Sequence, residues 1–126
     1  MFGMGKKRDR ELDAAADELA RADTVAFGGV GFAGTLLPAT EAYQRLADAL
    51  AEHPEEVRAQ LDRLLDHGSP AGRAYAATLL ERLDPAAARA AWTALRDDPA
   101  EFTTYSGCVM DRSSLREYAT RRLGEA

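Results

Sequence analysis

The sequence predicts an all-α fold, a single domain over residues 1–126 made of five or six helices packed as antiparallel pairs. Three observations lead there. The prolines stand at 38, 54, 70, 85 and 99, in steps of 16, 16, 15 and 14 residues, the length of a short helix plus a tight turn. Two of them follow strong N-cap residues, in Ser69-Pro70 and Asp84-Pro85, where a proline at the first helical position loses no hydrogen bond and already has a helical φ. Behind each start runs an apolar stripe at three- and four-residue spacing: Ala76, Leu79, Leu80 and Leu83 in one, Ala88, Trp92 and Leu95 in the other.

The bulk properties agree with a self-sufficient globular chain. With 46% apolar and 29% charged residues, 126 residues suffice to bury a core of their own. The net charge of −5 argues against a dedicated nucleic-acid surface, which is normally basic. A single cysteine cannot close an internal disulfide, so nothing points to an oxidising compartment, and the expected location is cytoplasmic. The basic start, Lys6-Lys7-Arg8, has no apolar run behind it and is not a secretory signal. No window approaches the run of about eighteen apolar residues that spans a bilayer, so no membrane partner is expected.

Taken in order, residues 1–9 read as a loose tail, followed by a helix from about Arg10 to Ala22 with Leu12, Ala15, Ala16 and Leu19 inward. Residues 24–38 change character, with four glycines and large apolar residues before Pro38, and read as a compact, partly buried turn. The helical array then occupies 40–97, as helices from about Thr40 to Glu52, Pro54 to Asp66, Pro70 to Leu83 and Pro85 to Asp97. Tyr43, Leu46, Leu50, Val57, Leu61, Leu64 and Leu65 are its further core positions, and Gly68 is placed as a C-cap. Residues 101–110, β-branched and aromatic around Ser106-Gly107, are irregular or extended, with a short hairpin as one form. A terminal helix within 112–123 starts near Ser114, where Ser114 and Glu117 have capping-box spacing.

With the capped helices in view, Ser69 to Pro99 resembles a HEAT-type helical repeat. The likeness lies in Ser69-Pro70, Arg73, Ala76, Leu79 and Leu83, the break at Asp84-Pro85, Leu95, and the exit at Asp97-Asp98-Pro99. It extends to about residues 54–99 or further if the helices from Thr40 form a preceding, degenerate pair. The resemblance implies a curved platform for other macromolecules, either a short stacked array or a compact bundle that borrows the pairing. A free-standing array usually needs at least about three repeats, so a homodimer is one way to complete it. Gly31-Phe32-Ala33-Gly34, Gly68 to Tyr75 and Ser106-Gly107-Cys108 together also resemble a small bacterial family of unassigned function, which implies no mechanism.

The residues capable of chemistry are few. Gly29-Val30-Gly31-Phe32-Ala33-Gly34 matches Gly-x-Gly-x-x-Gly, but only Thr24 to Phe27 offers a preceding strand and Pro38 interrupts the helix that should follow, so no cofactor is expected. The glycines are instead expected to supply positive φ and close packing while Val25, Phe27, Val30 and Phe32 plug the end of the bundle. Cys108 is the only thiol and His53 and His67 the only imidazoles, all far apart in sequence; a half-buried, inert Cys108 is expected, with a thiol-dependent enzyme as the alternative and no metal site.

Arg45, Arg58, Arg73 and Arg89 recur at similar places in successive helices and are expected to bridge to Asp62, Asp66, Asp97 or Asp98 rather than to form an exposed ladder. Arg112, Arg116, Arg121 and Arg122 with Tyr118 form the local basic patch, with a solvated helix face as the alternative, while Tyr105, Tyr118 and Phe32 are cleft-lining candidates. The expected function is therefore non-enzymatic binding of a protein partner, as adaptor or inhibitor, through Tyr105, Arg112, Arg116, Tyr118 and Arg121. Small-ligand binding at the glycine-rich loop is a further alternative.

Overall fold

The computed structural model describes residues 2–31 and 33–124, with side chains from Arg8 onward. Six helices are present: α1 (Phe2–Ala20), α2 (Pro38–Ala49), α3 (Pro54–His67), α4 (Pro70–Leu83), α5 (Pro85–Leu95) and α6 (Leu115–Arg122). Four of the five prolines stand at the first position of a helix, three of them, Pro54, Pro70 and Pro85, as the punctuation predicts. Ser69 accepts from the Gly72 amide, Asp84 from the Ala87 amide and Ser114 from the Glu117 amide, so each cap forms where the residue types place it. Among the described residues no helix is long and apolar enough to cross a membrane.

The all-α expectation is corrected. A three-stranded mixed sheet is present, built from β1 (Thr24–Val25), β2 (Glu101–Ser106) and β3 (Val109–Ser114) in the order β1-β2-β3. β1 runs parallel to β2, with Thr24 opposite Thr103, and β2 runs antiparallel to β3, with Phe102 opposite Ser113 and Ser106 opposite Val109. A two-residue strand has no periodicity to detect, and its partner lies beyond four intervening helices. Residues 101–110, expected as irregular or extended, are thus the larger part of a regular hairpin. Arg112–Ser114 belong to that hairpin rather than to the terminal helix, which begins at Leu115.

Three boundaries also move. The tail expected over 1–9 is helical from Phe2 on despite the glycines at positions 3 and 5: the buried Leu12, Ala15, Ala16 and Leu19 have already anchored the helix, so its extension needs no new nucleation. α2 begins at Pro38, not Thr40, because Thr40 is fully buried with its hydroxyl donating to the Ala26 carbonyl at 2.6 Å. α5 stops at Leu95, short of Asp97.

α4 is the centre of the molecule. It packs on α1, α3, α5 and α6 and on the sheet, and its small residues let the neighbours come close. A Cβ at Gly72 would lie 2.3 Å from the Leu19 carbonyl oxygen of α1. α3 packs on α4 and α4 on α5, each pair turned back across a short connection, as the predicted pairing requires. α2, in contrast, touches α3 only lightly and packs chiefly on α1. The core holds Leu46, Val57, Leu61, Leu64, Tyr75, Leu79 and Trp92 from the helices, together with Val25 and Phe102 from the sheet.

Two of the four recurring arginines meet aspartates. Arg58 reaches Asp62 at 3.2 Å and Asp84 at 3.1 Å, and Arg73 reaches Asp98 at 2.9 Å. Arg45 pairs with Glu41 instead, at 3.9 Å, and Arg89 is exposed.

Candidate functional site

The site begins at Ala26, just beyond β1. Its amide donates to the Tyr75 hydroxyl at 2.7 Å, and its carbonyl accepts from Tyr75 at 2.9 Å and from Thr40 at 2.6 Å. This buried clamp fixes the chain as it leaves the sheet and turns the next side chain outward. Phe27 is 40% exposed, its ring edge-on to Tyr43 at 5.1 Å and to Tyr75 at 5.3 Å. Edge-to-face contacts of this kind are favourable and hold a ring in place even where one side is wet.

The glycine-rich loop then folds on itself. Val30 and Thr35 exchange backbone hydrogen bonds at 2.8 and 3.1 Å, and Gly31 and Gly34 have φ of 71° and 64°. Gly29 abuts the Gly34 peptide so closely that a Cβ there would lie 2.3 Å from the Gly34 oxygen. Positive φ and close packing are therefore what the glycines supply, as expected. Of the predicted plug, Val25 is buried, Val30 is half-buried and Phe27 faces out; Phe32 lies outside the described residues. The Gly31 amide donates to the Gly107 carbonyl at 3.1 Å, which ties the loop to the tip of the hairpin.

That tip is a two-residue turn, Gly107-Cys108, with Gly107 at φ 61° and no positive φ at Cys108, the pattern of a type II′ hairpin turn. Strand alternation turns Phe102, Thr104 and Ser106 of β2, with Val109, Asp111 and Ser113 of β3, to the face that meets α6. Phe102 and Ser113 close the inner end. Nearer the tip, between this face, Phe27 and α6, an open cleft remains.

Tyr118 and Arg121 form the α6 wall of that cleft, and Val109 and Asp111 form part of the opposite one. Tyr118 is held by Trp92 at 5.6 Å and Phe102 at 5.7 Å, and burial raises its phenol pKa despite the nearby Arg122 and Arg121 guanidinium groups. The hydroxyl therefore stays protonated and able to donate. Arg121 donates to the Ser113 hydroxyl at 3.1 Å and stands 5.8 Å from the Tyr118 ring centre. Among the described residues it has no carboxylate partner.

Of the residues proposed from sequence, Tyr118 and Arg121 come together in one cleft; Tyr105 borders it from β2, but the strand alternation turns its side chain to the opposite face, with Met110 and Arg112. Two others stand apart from it. Arg112 lies on the opposite row of β3, donating to Thr103 at 3.1 Å and Glu101 at 3.3 Å, and Arg116 stands in the first turn of α6, its amide bonded to the Asp98 carbonyl. Cys108, expected half-buried, is exposed, because a two-residue turn at a sheet corner has nothing packed over it. His53 and His67 flank α3, His53 as its N-cap residue and His67 as its last residue. No group of three or more His, Cys, Asp or Glu able to hold a metal occurs among the described residues.

Sequence reasoning missed Val109 and Asp111. Two-residue alternation from the buried Phe102 would have placed both on the inner face had the hairpin register been known. No protein-family model, curated protein or solved structure matches the chain.

Proposed function

We propose that this chain is a non-enzymatic binding module that takes a partner protein at the cleft between the glycine-rich loop, the hairpin and α6. The observation that carries the reading is the make-up of that cleft: an arginine that has no carboxylate partner among the described residues, beside a half-buried tyrosine, rimmed by exposed Phe27 and Val109. Aromatic residues and arginine dominate the energetic centres of protein interfaces, while isolated side chains of these types on a surface do not coincide by necessity. The site is also anchored rigidly, since the Ala26 clamp, the Gly31–Gly107 bond and the Arg121–Ser113 bond tie its three walls.

The thiol-dependent alternative has less support. Cys108 sits on the turn, outside the cleft lining, and neither histidine lines the cleft that would have to serve it. The HEAT-type resemblance remains part of the proposal, supported by α4 and α5 packing together across a break of one residue, Asp84. A cytoplasmic location rests on the free, exposed thiol, which suits a reducing compartment.

Site-directed photocrosslinking tests the reading. A benzophenone side chain at Val109, introduced in the organism that makes the protein, should yield a discrete protein adduct, while the same group at exposed Ala90 of α5 should not. An adduct of twice the chain mass would identify the partner as a second copy. No protein adduct from position 109, or equal adducts from both positions, would end the proposal.

A further inference from the structure

Arg82, a second arginine, lies in the last turn of α4. The Arg82 guanidinium stands beside the Tyr43 hydroxyl, and Tyr43 in turn packs on Phe27. Phe27 is therefore shared: one side meets Tyr43, and the other lines the cleft with Tyr118 and Arg121. Arg82 and Arg121 are both exposed, and among the described residues neither has a carboxylate partner.

The acids nearby do not neutralise them. Both carboxylate oxygens of Glu81 are committed, Oε2 to the Trp92 indole at 2.7 Å and to Arg122 Nε at 3.1 Å, and Oε1 to Arg122 Nη2. Asp111 is the one acid of the cleft lining, and its Oδ1 already accepts from the Arg112 amide at 2.8 Å. Arg82 thus lies beyond Tyr43 on one side of Phe27 and Arg121 lies in the cleft on the other, while of the carboxylates named here Glu81 is already engaged and Asp111 stands toward the hairpin. Such a groove favours acidic groups over α4 and α6 and disfavours them at the hairpin end.

Resting on the binding-module reading above, we infer that the ligand of this groove is an extended acidic segment of a partner protein, its carboxylates meeting Arg82 and Arg121 and an apolar side chain packing on Phe27. Guanidinium groups form charge-assisted, often bidentate hydrogen bonds to carboxylates, and the protonated Tyr43 and Tyr118 hydroxyls add donors beside them. The net charge of −5 selects against larger polyanions. A duplex or an anionic membrane presents charge over a face wider than two arginines and meets the surrounding acids, whereas a narrow peptide fits the local field.

Fluorescence anisotropy with a labelled dodecapeptide of Glu and Asp around one central Phe tests this, against the same peptide with Gln and Asn in place of the acids. The acidic peptide should bind, more weakly as salt rises, and the double reversal R82E/R121E should lose about tenfold in affinity while R89E/R116E, of equal charge change, stays within about twofold. F27A should also weaken binding. Thermal melts check that each variant folds; should the double reversal not fold, the single variants R82Q and R121Q decide on the same readout.

Equal affinity for the neutral peptide, equal loss in R89E/R116E, no binding of the acidic peptide, or tighter binding of a thymidine oligonucleotide or phosphatidylserine vesicles would overturn the inference. If the crosslinker at Val109 still captures a protein when the acidic peptide does not bind, the inference falls and the binding module stands. If it captures nothing, both fall.

Discussion

Gly72 shows how a single position acquires its meaning from a residue far off in the chain. Glycine inside a helix is ordinarily worse than alanine by about 0.5–1 kcal/mol, so a G72A substitution in α4 would be expected to stabilise. Here the added Cβ would stand 2.3 Å from the Leu19 carbonyl oxygen and 3.1 Å from the Ser69 hydroxyl. The backbone oxygen cannot turn aside, so α1 and α4 must separate. We predict that G72A destabilises by about 1–3 kcal/mol, read as a lower urea midpoint at unchanged slope; an unchanged or raised midpoint would show that the helices slide apart freely. Tyr75 makes a related point. Its helical spacing marks it as core, which it is, but nothing in the spacing reveals that its hydroxyl satisfies both polar groups of the Ala26 peptide.

Between residue and fold, the elements are bounded by a few side chains whose chemistry is local. Asp84 ends α4 and caps α5, accepting from the Ala87 amide at 3.1 Å and from Arg58 at 3.1 Å. Asp98 accepts from the Ala100 amide at 2.9 Å and from Arg73 at 2.9 Å where the chain passes from α5 into β2. In both, the carboxyl is held below the ordinary aspartate range, first by the backbone amide and then by the arginine. A carboxylate whose folded pKa is depressed contributes stability above its unfolded value, about 3.9, and loses it as the pH falls through the folded value.

Unfolding midpoints should therefore hold from neutral pH to about 5 and fall below about 4, with D84N/D98N showing a shallower fall than the parent over the same range. Parallel curves for the two proteins would rule these residues out as the source. Both aspartates were recognisable in sequence, Asp84 as a cap before Pro85 and Asp98 as one of four aspartates expected to meet the recurring arginines. What differs is their outcome: Pro85 opens a helix, whereas Pro99 precedes the β-branched run Thr103-Thr104 and opens a strand.

Across the whole molecule, the sheet joins segments that the helices separate. β1 lies between α1 and α2, β2 and β3 follow α5, and all contact the helical core through Val25, Phe102 and the α4 side chains. Trp92 reports on the junction, being buried against Tyr118 and bonded to Glu81, with Tyr118 resting on Phe102. We predict that far-ultraviolet circular dichroism and Trp92 fluorescence follow one urea transition, because helix, hairpin and α6 share this contact. A fluorescence change preceding loss of helix would mean that the hairpin and α6 detach as a unit.

The helices from Pro54 to Leu95, their three proline starts and the three side-chain caps follow from the sequence alone, because each depends on residues within a few positions of one another: Ser69 on Gly72, Asp84 on Ala87, Ser114 on Glu117. The inward stripes follow for the same reason, since a 3.6-residue period needs no knowledge of the neighbour. Of the candidate site, Tyr118 and Arg121 were legible as an aromatic and a basic residue on the predicted terminal helix. Only the tertiary structure decided that Arg112 is engaged by Glu101, that Cys108 stands exposed, and that Phe27 and Val109 line the cleft. Those outcomes depend on a two-residue strand finding a partner across the helical array, and a pairing that distant is set by how the helices pack, not by any pattern within the strand itself.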